Sequence, residues 1–280
     1  MAVLGDVGGH LAALRAELTR LGVPDGGDGP IPADLTVVQV GDLVHRGPES
    51  DAVVALVDRH LSATPRRWLQ VVGNHEAFYL RRRQFSWHTP IARQAARTLR
   101  RWWRGRLMVP AVAIESRGES FLITHAGVTR NFWVEVLGSP ASAATAAQRL
   151  NALARTRPRA LFRPGAAMMW RRPTPLAGPI WALATAELLP SWLDHPLPFS
   201  QVYGHSSLVD WRTGELRVAD LVGDEQVRLD QRAKHVSVTL PGGRLVGVDP
   251  GDESLAVDDW HAFVLRRRSR HPDDHLAVLD

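Results

Sequence analysis

Cysteine is absent from this 280-residue chain, which excludes disulfide bonds and thiolate metal ligands and leaves Asp, Glu, His and Asn as the side chains able to hold a metal ion. No apolar run approaches the roughly 18 residues of a membrane span. The opening strand-like run, Ala2-Val3-Leu4, is too short for a secretory h-region and has no basic segment before it. No export signal or membrane association is therefore expected, and the cytoplasm is the expected location. Lysine is scarce beside arginine, a bias to which no functional weight attaches. What is present, 45% hydrophobic and 22% charged residues, is the balance of a soluble globular chain with a substantial core, sized for one large domain or two small ones.

The residues around which the chain is organised are Gly41-Asp42-Leu43-Val44-His45-Arg46-Gly47-Pro48. They follow Leu35-Thr36-Val37-Val38-Gln39-Val40, a β-branched run that predicts a buried strand delivering Asp42 to its carboxyl end, where open α/β sheets place ligands. Pro48 suits a first helical turn, and Asp51 to Val57 continues with helical periodicity. Two similar units flank this one. Ala2-Val3-Leu4-Gly5-Asp6 leads into a helix with Leu11, Leu14, Leu18 and Leu21 on one face, and Trp68 to Val72 leads into Gly73-Asn74-His75-Glu76.

Further along, Phe121 to Thr124 delivers His125-Ala126-Gly127, and Phe199 to Tyr203 delivers Gly204-His205-Ser206-Ser207. Val236 to Leu240, Pro241-Gly242-Gly243 and Arg244 to Val248 read as a β-hairpin. A parallel-type first half and a hairpin-bearing second half imply an α/β fold of two stacked sheets with helices outside. Residues 155–198, dense in Pro, Arg and Trp, read as an irregular cap.

Asp6, Asp42, Asn74, His125 and His205 thus all stand at strand-to-loop transitions. Each alone is more often a turn, a helix cap or a hydrogen-bonded surface residue, the category to which His10, His60 and His88 are assigned. Five in order are a different matter. Carboxylate, amide oxygen and imidazole suit Mn²⁺, Fe or Zn²⁺, and an Asp between two units can bridge two ions. Two ions about 3.5 to 4 Å apart clamp a phosphoryl group and activate a water, which is the chemistry of phosphate-ester hydrolysis.

The order G-D, G-D-x-x-x-R-G, G-N-H-E, H-A-G and G-H resembles the calcineurin-like metallophosphoesterases. Within them it is similar to the branch of bacterial phosphoprotein phosphatases and symmetrical dinucleoside tetraphosphatases. The resemblance implies a four-layer α/β/β/α sandwich. It implies one or two divalent metal ions, Mn²⁺ first and Fe or Zn²⁺ as alternatives, held by Asp6, Asp42, Asn74, His125 and His205, with Asp42 bridging. His75 would be the catalytic general acid, and Arg46 would bind phosphate oxygens. The expected reaction is hydrolysis of a phosphomonoester, such as a phosphoprotein or a phosphorylated small molecule, or of a nucleotide polyphosphate, by a metal-activated water. Residues 1–265 are expected to form a single domain with cap insertions near 77–117 and 138–198, followed by a polar tail at 266–280.

The chain departs from the family pattern at three places. Gly8 stands where the first motif carries a metal-ligating His, which leaves the first site short of a ligand and predicts reduced activity; His10 is weighed as a substitute and set aside. His45 stands where phosphatases place an Asp that orients the catalytic His. The W-x-R element that supplies a second phosphate-binding arginine is matched by Trp181-Ala182-Leu183, so Arg171 and Arg172 are the candidates for that role. The alternative function is accordingly a degenerate, one-metal or inactive member that binds a phosphorylated ligand without turnover. From Arg81 to Arg106 there are nine arginines and no acid. They read as a solvated helical face before a wall for anions, and nucleic acid is not expected as a partner.

Overall fold

The computed structural model describes residues 1–64, 66–80, 89–165, 172–251 and 260–265. The chain begins with strand β1 (Ala2–Leu4), helix α1 (Leu11–Arg20), β2 (Val37–Gln39), α2 (Ser50–Ala63), β3 (Trp68–Val71), α3 (Asn74–Leu80) and α4 (Arg93–Arg104). It continues through β4 (Met108–Val109), β5 (Ala111–Ser116), β6 (Glu119–Thr124), α5 (Ala143–Thr156), α6 (Pro158–Leu161) and β7 (Ser200–Tyr203). Last come β8 (Val209–Asp210), β9 (Glu215–Leu216), β10 (Val227–Asp230), β11 (His235–Leu240), β12 (Gly243–Gly247) and β13 (Phe263–Val264).

Two large mixed sheets flanked by helices result. The first has the order β13-β1-β2-β3-β4 and the second β10-β11-β12-β7-β6-β5, while β8 and β9 form a small ribbon. β1 to β4 are mutually parallel, as are β12, β7 and β6. That shared direction gathers the carboxyl ends of the strands within each sheet along one edge. The apolar inner faces pack on one another through Val3, Val38 and Val71 from one sheet and Phe121, Ile123 and Val246 from the other. Outside the first sheet, α1 and α2 bury Leu14, Leu18, Val53 and Leu56, and each such side chain contributes about 1.5–3 kcal/mol when fully buried.

Gln39 shows how polar residues inside these strands shape the site edge. Its buried Nε2 donates to Gly5 O (3.0 Å) and Gly41 O (2.7 Å), and its Oε1 accepts from Gly41 N–H (2.9 Å). One side chain therefore ties the loops after β1 and β2 together with no orphaned polar atom.

Several expectations need correction. Helix α2 starts at Ser50 with Glu49 at its N-cap, so Pro48 belongs to the preceding loop. His45 and Arg46 there adopt left-handed φ values of 74° and 65°, and Ser50 Oγ accepts the His45 N–H (2.9 Å). His60 is not a surface residue: it is buried, stacked on Trp68 at 5.3 Å, with Nε2 donating to Gly27 O (3.1 Å). Trp102 is fully buried, and half-buried Trp103 packs edge-on against Phe162. Trp87, His88 and the polar tail at 266–280 lie outside the described residues. No helix among those described is long and apolar enough to cross a membrane.

Candidate metal and active site

Asp6 follows β1, Asp42 follows β2, and Asn74 and His75 open α3 directly after β3; His125 follows β6 and His205 follows β7. The structure brings all of them to one place. Asn74 Oδ1 lies 2.9 Å from His125 Nε2 and 2.8 Å from His205 Nδ1. Asp42 Oδ1 lies 3.4 Å from His125 Nε2, and one ligand atom from each of Asp42, His125 and His205 falls within 4.8 Å of the others.

Tautomer chemistry says what this cluster needs. His125 Nδ1 faces Val40 O at 3.1 Å, and a carbonyl only accepts, so Nδ1 must carry the proton. In the neutral ring Nε2 is then a bare lone pair aimed at a carboxylate and an amide oxygen. A positive charge placed there satisfies all of these groups. Although burial opposes it, the Asp42 carboxylate lifts the His125 pKa above its ordinary value. In turn, despite burial, the neighbouring imidazoles of His125 and His75 hold the Asp42 carboxyl well below the usual carboxylate range. Burial, with His125 beside it, pulls His205 down to about 3 and so keeps it an unprotonated donor. Carboxylate, amide oxygen and two imidazoles at these separations fit a divalent cation.

His75 is set for a different task. Its Nδ1 donates to Val44 O (2.7 Å), its N–H donates to Asp42 Oδ1 (2.9 Å), and its Nε2 stands 3.3 Å from Asp42 Oδ2. Burial lowers its pKa to about 4, with the Asp42 charge acting in the opposite direction. His45 is fully buried, its Nε2 is 2.7 Å from Tyr79 Oη, and its ring centroid is 5.1 Å from that of His75. Burial first, and the His75 charge second, push His45 down to about 3, so it is neutral and does not repel a protonated His75.

A small cavity opens beside this cluster, lined by Asp6, Val7, Gly8, His10, Asp42, Arg46, His75, His205, Asp249 and Gly251. Arg46 reaches it as expected. Gly8 has φ of 55°, with Arg46 Cδ and His45 O the nearest atoms to any added Cβ at 3.7 Å. Space for a side chain exists there, but the backbone is left-handed. His10, read from sequence as a surface residue, also lines the cavity. Arg172 is exposed and outside the lining, and Arg171 lies outside the described residues. No arginine of α4 is among the lining residues; Arg100 Nε donates to Tyr79 O (2.9 Å) and Arg101 pairs with Asp58.

Two acids received no role from the sequence. Glu76 is fully buried and its carboxylate accepts the N–H groups of Asp42 (2.8 Å), Leu43 (2.8 Å) and Gly73 (2.9 Å), clamping the loop after β2 to the start of α3. It was visible within G-N-H-E. Asp249 follows β12, and the signal for it was the same one that marked the others, an apolar strand ending in a carboxylate. The strand also reads as half of a hairpin, a pattern that does not by itself bring its end to the site. β12 does pair antiparallel with β11, but its other edge runs parallel to β7.

Strain collects at this edge. Asp42, His45, Arg46 and His205 all have positive φ, between 56° and 74°, conformations that non-glycine residues hold only where surrounding structure enforces them.

Comparison with known proteins agrees with this geometry. The profile of a family described as calcineurin-like phosphoesterase matches residues 1–229. Among solved structures, a cold-active protein-tyrosine phosphatase of a psychrophilic Shewanella species superposes with a TM-score of 0.50 at 14% identity, covering 93% of this chain and 72% of its own. A second structure of a cold-active protein tyrosine phosphatase gives 0.51 at 16% identity, covering 89% and 68%. At such identities the likeness speaks to the fold. A metallophosphoesterase from Sphaerobacter thermophilus, 23% identical, aligns over 45% of this chain and 46% of its own with a TM-score of 0.27, and nothing is argued from it. No curated protein sequence matches the chain.

Proposed function

Because the chain belongs to the calcineurin-like phosphoesterases, we propose that it is a metal-dependent phosphoesterase acting on a phosphomonoester, such as a phosphoprotein, or on a nucleotide polyphosphate. The observation that carries this reading is the meeting of Asp42, Asn74, His125 and His205 around a point that a divalent cation would fit. Asp42, Asn74, His125 and His205 would hold one divalent ion, and Asp6 with Asp42 would contribute to a second. Such an ion supplies Lewis-acid polarisation of a phosphoryl oxygen and lowers the pKa of water. Reading residues 1–265 as a single domain is supported by the cavity's drawing its lining from the ends of strands in both sheets.

The protein's own residues do the rest. Arg46 offers its planar fork to phosphate oxygens at the cavity wall. His75, its ring fixed by the Val44 carbonyl, presents Nε2 to the cavity. An entering phosphate dianion places negative charge beside that nitrogen and favours its proton, which then passes to the leaving oxygen. His45 packs beside His75 as a neutral ring and leaves that proton undisturbed.

The test is turnover of p-nitrophenyl phosphate and diadenosine tetraphosphate by purified protein with Mn²⁺ added. Hydrolysis that disappears on metal removal and in Asn74→Ala supports the reading. Failure to hydrolyse any phosphoester with metal bound favours the competing one, a degenerate member that binds a phosphorylated ligand, which Gly8 motivates.

A further inference from the structure

The first half of the cavity contains more negative charge than the family motifs account for. Gly5 is packed so tightly against the segment after β12 that a Cβ there would fall 1.9 Å from Val248 O and 3.3 Å from Pro250 Cδ. Absence of a side chain at Gly5 lets that segment lie along the end of β1, and so Asp249 enters the cavity beside Asp6. The acid is held firmly: Gly251 N–H donates to its Oδ1 (2.9 Å), and Trp211 Nε1–H donates to its backbone carbonyl (2.9 Å). Asp6, Asp42 and Asp249 thus share one cavity in which, among the described residues, Arg46 is the only arginine or lysine on the wall.

His205 adds an independent sign. It is 8% exposed, lines this cavity, and its Nε2 has no hydrogen-bond partner although Nδ1 is engaged with Asn74. A buried polar atom without a partner, beside three carboxylates with so little neutralising charge, marks a place built for a cation and its bound water. The position at Gly8 supplies no donor. His10 lines the same cavity.

We propose that Asp249 is a ligand of the first divalent-cation site and, with Asp6 and Asp42, replaces the side chain missing at Gly8. Asp249 lies beyond the residues matched by the family profile. The resulting set is all carboxylate, so this position prefers hard cations, Mn²⁺ or Mg²⁺, over Zn²⁺, whereas the position at Asn74, His125 and His205 accepts either kind. The proposal rests on the metal-dependent reading of the same site, and the experiment separates the two.

The full chain is reconstituted with Mn²⁺, desalted, and assayed for metal content by mass spectrometry and for coupling between neighbouring ions by electron paramagnetic resonance. Expected are about two ions per chain with a coupled signal in the parent and in His10→Ala, and about one ion with an isolated-ion signal in Asp249→Asn. Two ions in Asp249→Asn, or loss of one in His10→Ala alone, overturns the assignment and leaves the phosphoesterase reading standing. A parent that binds one ion does the same, and a parent that binds none removes both. If Asp249→Asn does not fold, parent crystals grown in Mn²⁺ decide. An anomalous peak bonded to both Asp6 and Asp249 supports the proposal, and its absence at that pair refutes it.

Discussion

The two halves of the cavity are built on different principles. On one side Asn74, His125 and His205 converge with Asp42 through mixed nitrogen and oxygen donors, each fixed by a backbone carbonyl or by its neighbour. On the other, Asp6 and Asp249 meet across the seam between two sheets, with a glycine where the family pattern expects an imidazole. The first of these halves consists of residues that stand in the sequence motifs. The second has lost one donor and gained another from a strand distant in sequence, which teaches that a missing motif residue is not the same as a missing ligand.

The largest effect should come from the mixed-donor half. Asn74→Ala or His125→Ala is expected to lower phosphoester turnover by more than about 100-fold, beyond the 10- to 100-fold typical of groups that merely support a ligand. Steady-state kinetics with saturating Mn²⁺ checks this, and near-normal turnover would erase the contrast between the halves. Next comes the clamp within that half, which ties the loop after β2 to the start of α3. Glu76→Ala orphans three buried N–H groups and should cost at least about 2 kcal/mol of stability, measurable by denaturant unfolding.

Gly8→His sharpens the comparison from the other side. If Asp249 already completes the carboxylate half, restoring the motif residue leaves the metal count unchanged. It also forces a side chain onto a φ of 55°, which costs about 1–2 kcal/mol and should lower the melting temperature. A rise in metal content with no loss of stability would mean that the half was incomplete.

The smallest effect lies away from the cavity. Burial lowers the His60 pKa below its ordinary 6.5. The unfolded chain therefore takes up a proton near pH 6.5 that the folded chain refuses, and stability is complete above that value and declines as pH falls through it. His60→Gln should flatten that decline in thermal melts between pH 7 and 5 without altering metal content.

Sequence alone determined most of the frame: the parallel units β1 to β3, the β11–β12 hairpin, the basic helix α4 and the residues at five strand ends follow from periodicity and punctuation, which are local. It also carried the family resemblance, because the motifs are short and ordered. Tertiary structure decided what local pattern cannot encode. That His10 lines the cavity, that His60 stacks on Trp68 and that Glu76 bridges two loops depend on which segments meet. The same holds for Asp249: the contact through Gly5 joins residues at opposite ends of the chain and exists only once the sheets close on each other. A strand's register and direction fix where its own end points, but the neighbour at that end is chosen by the packing of the whole molecule.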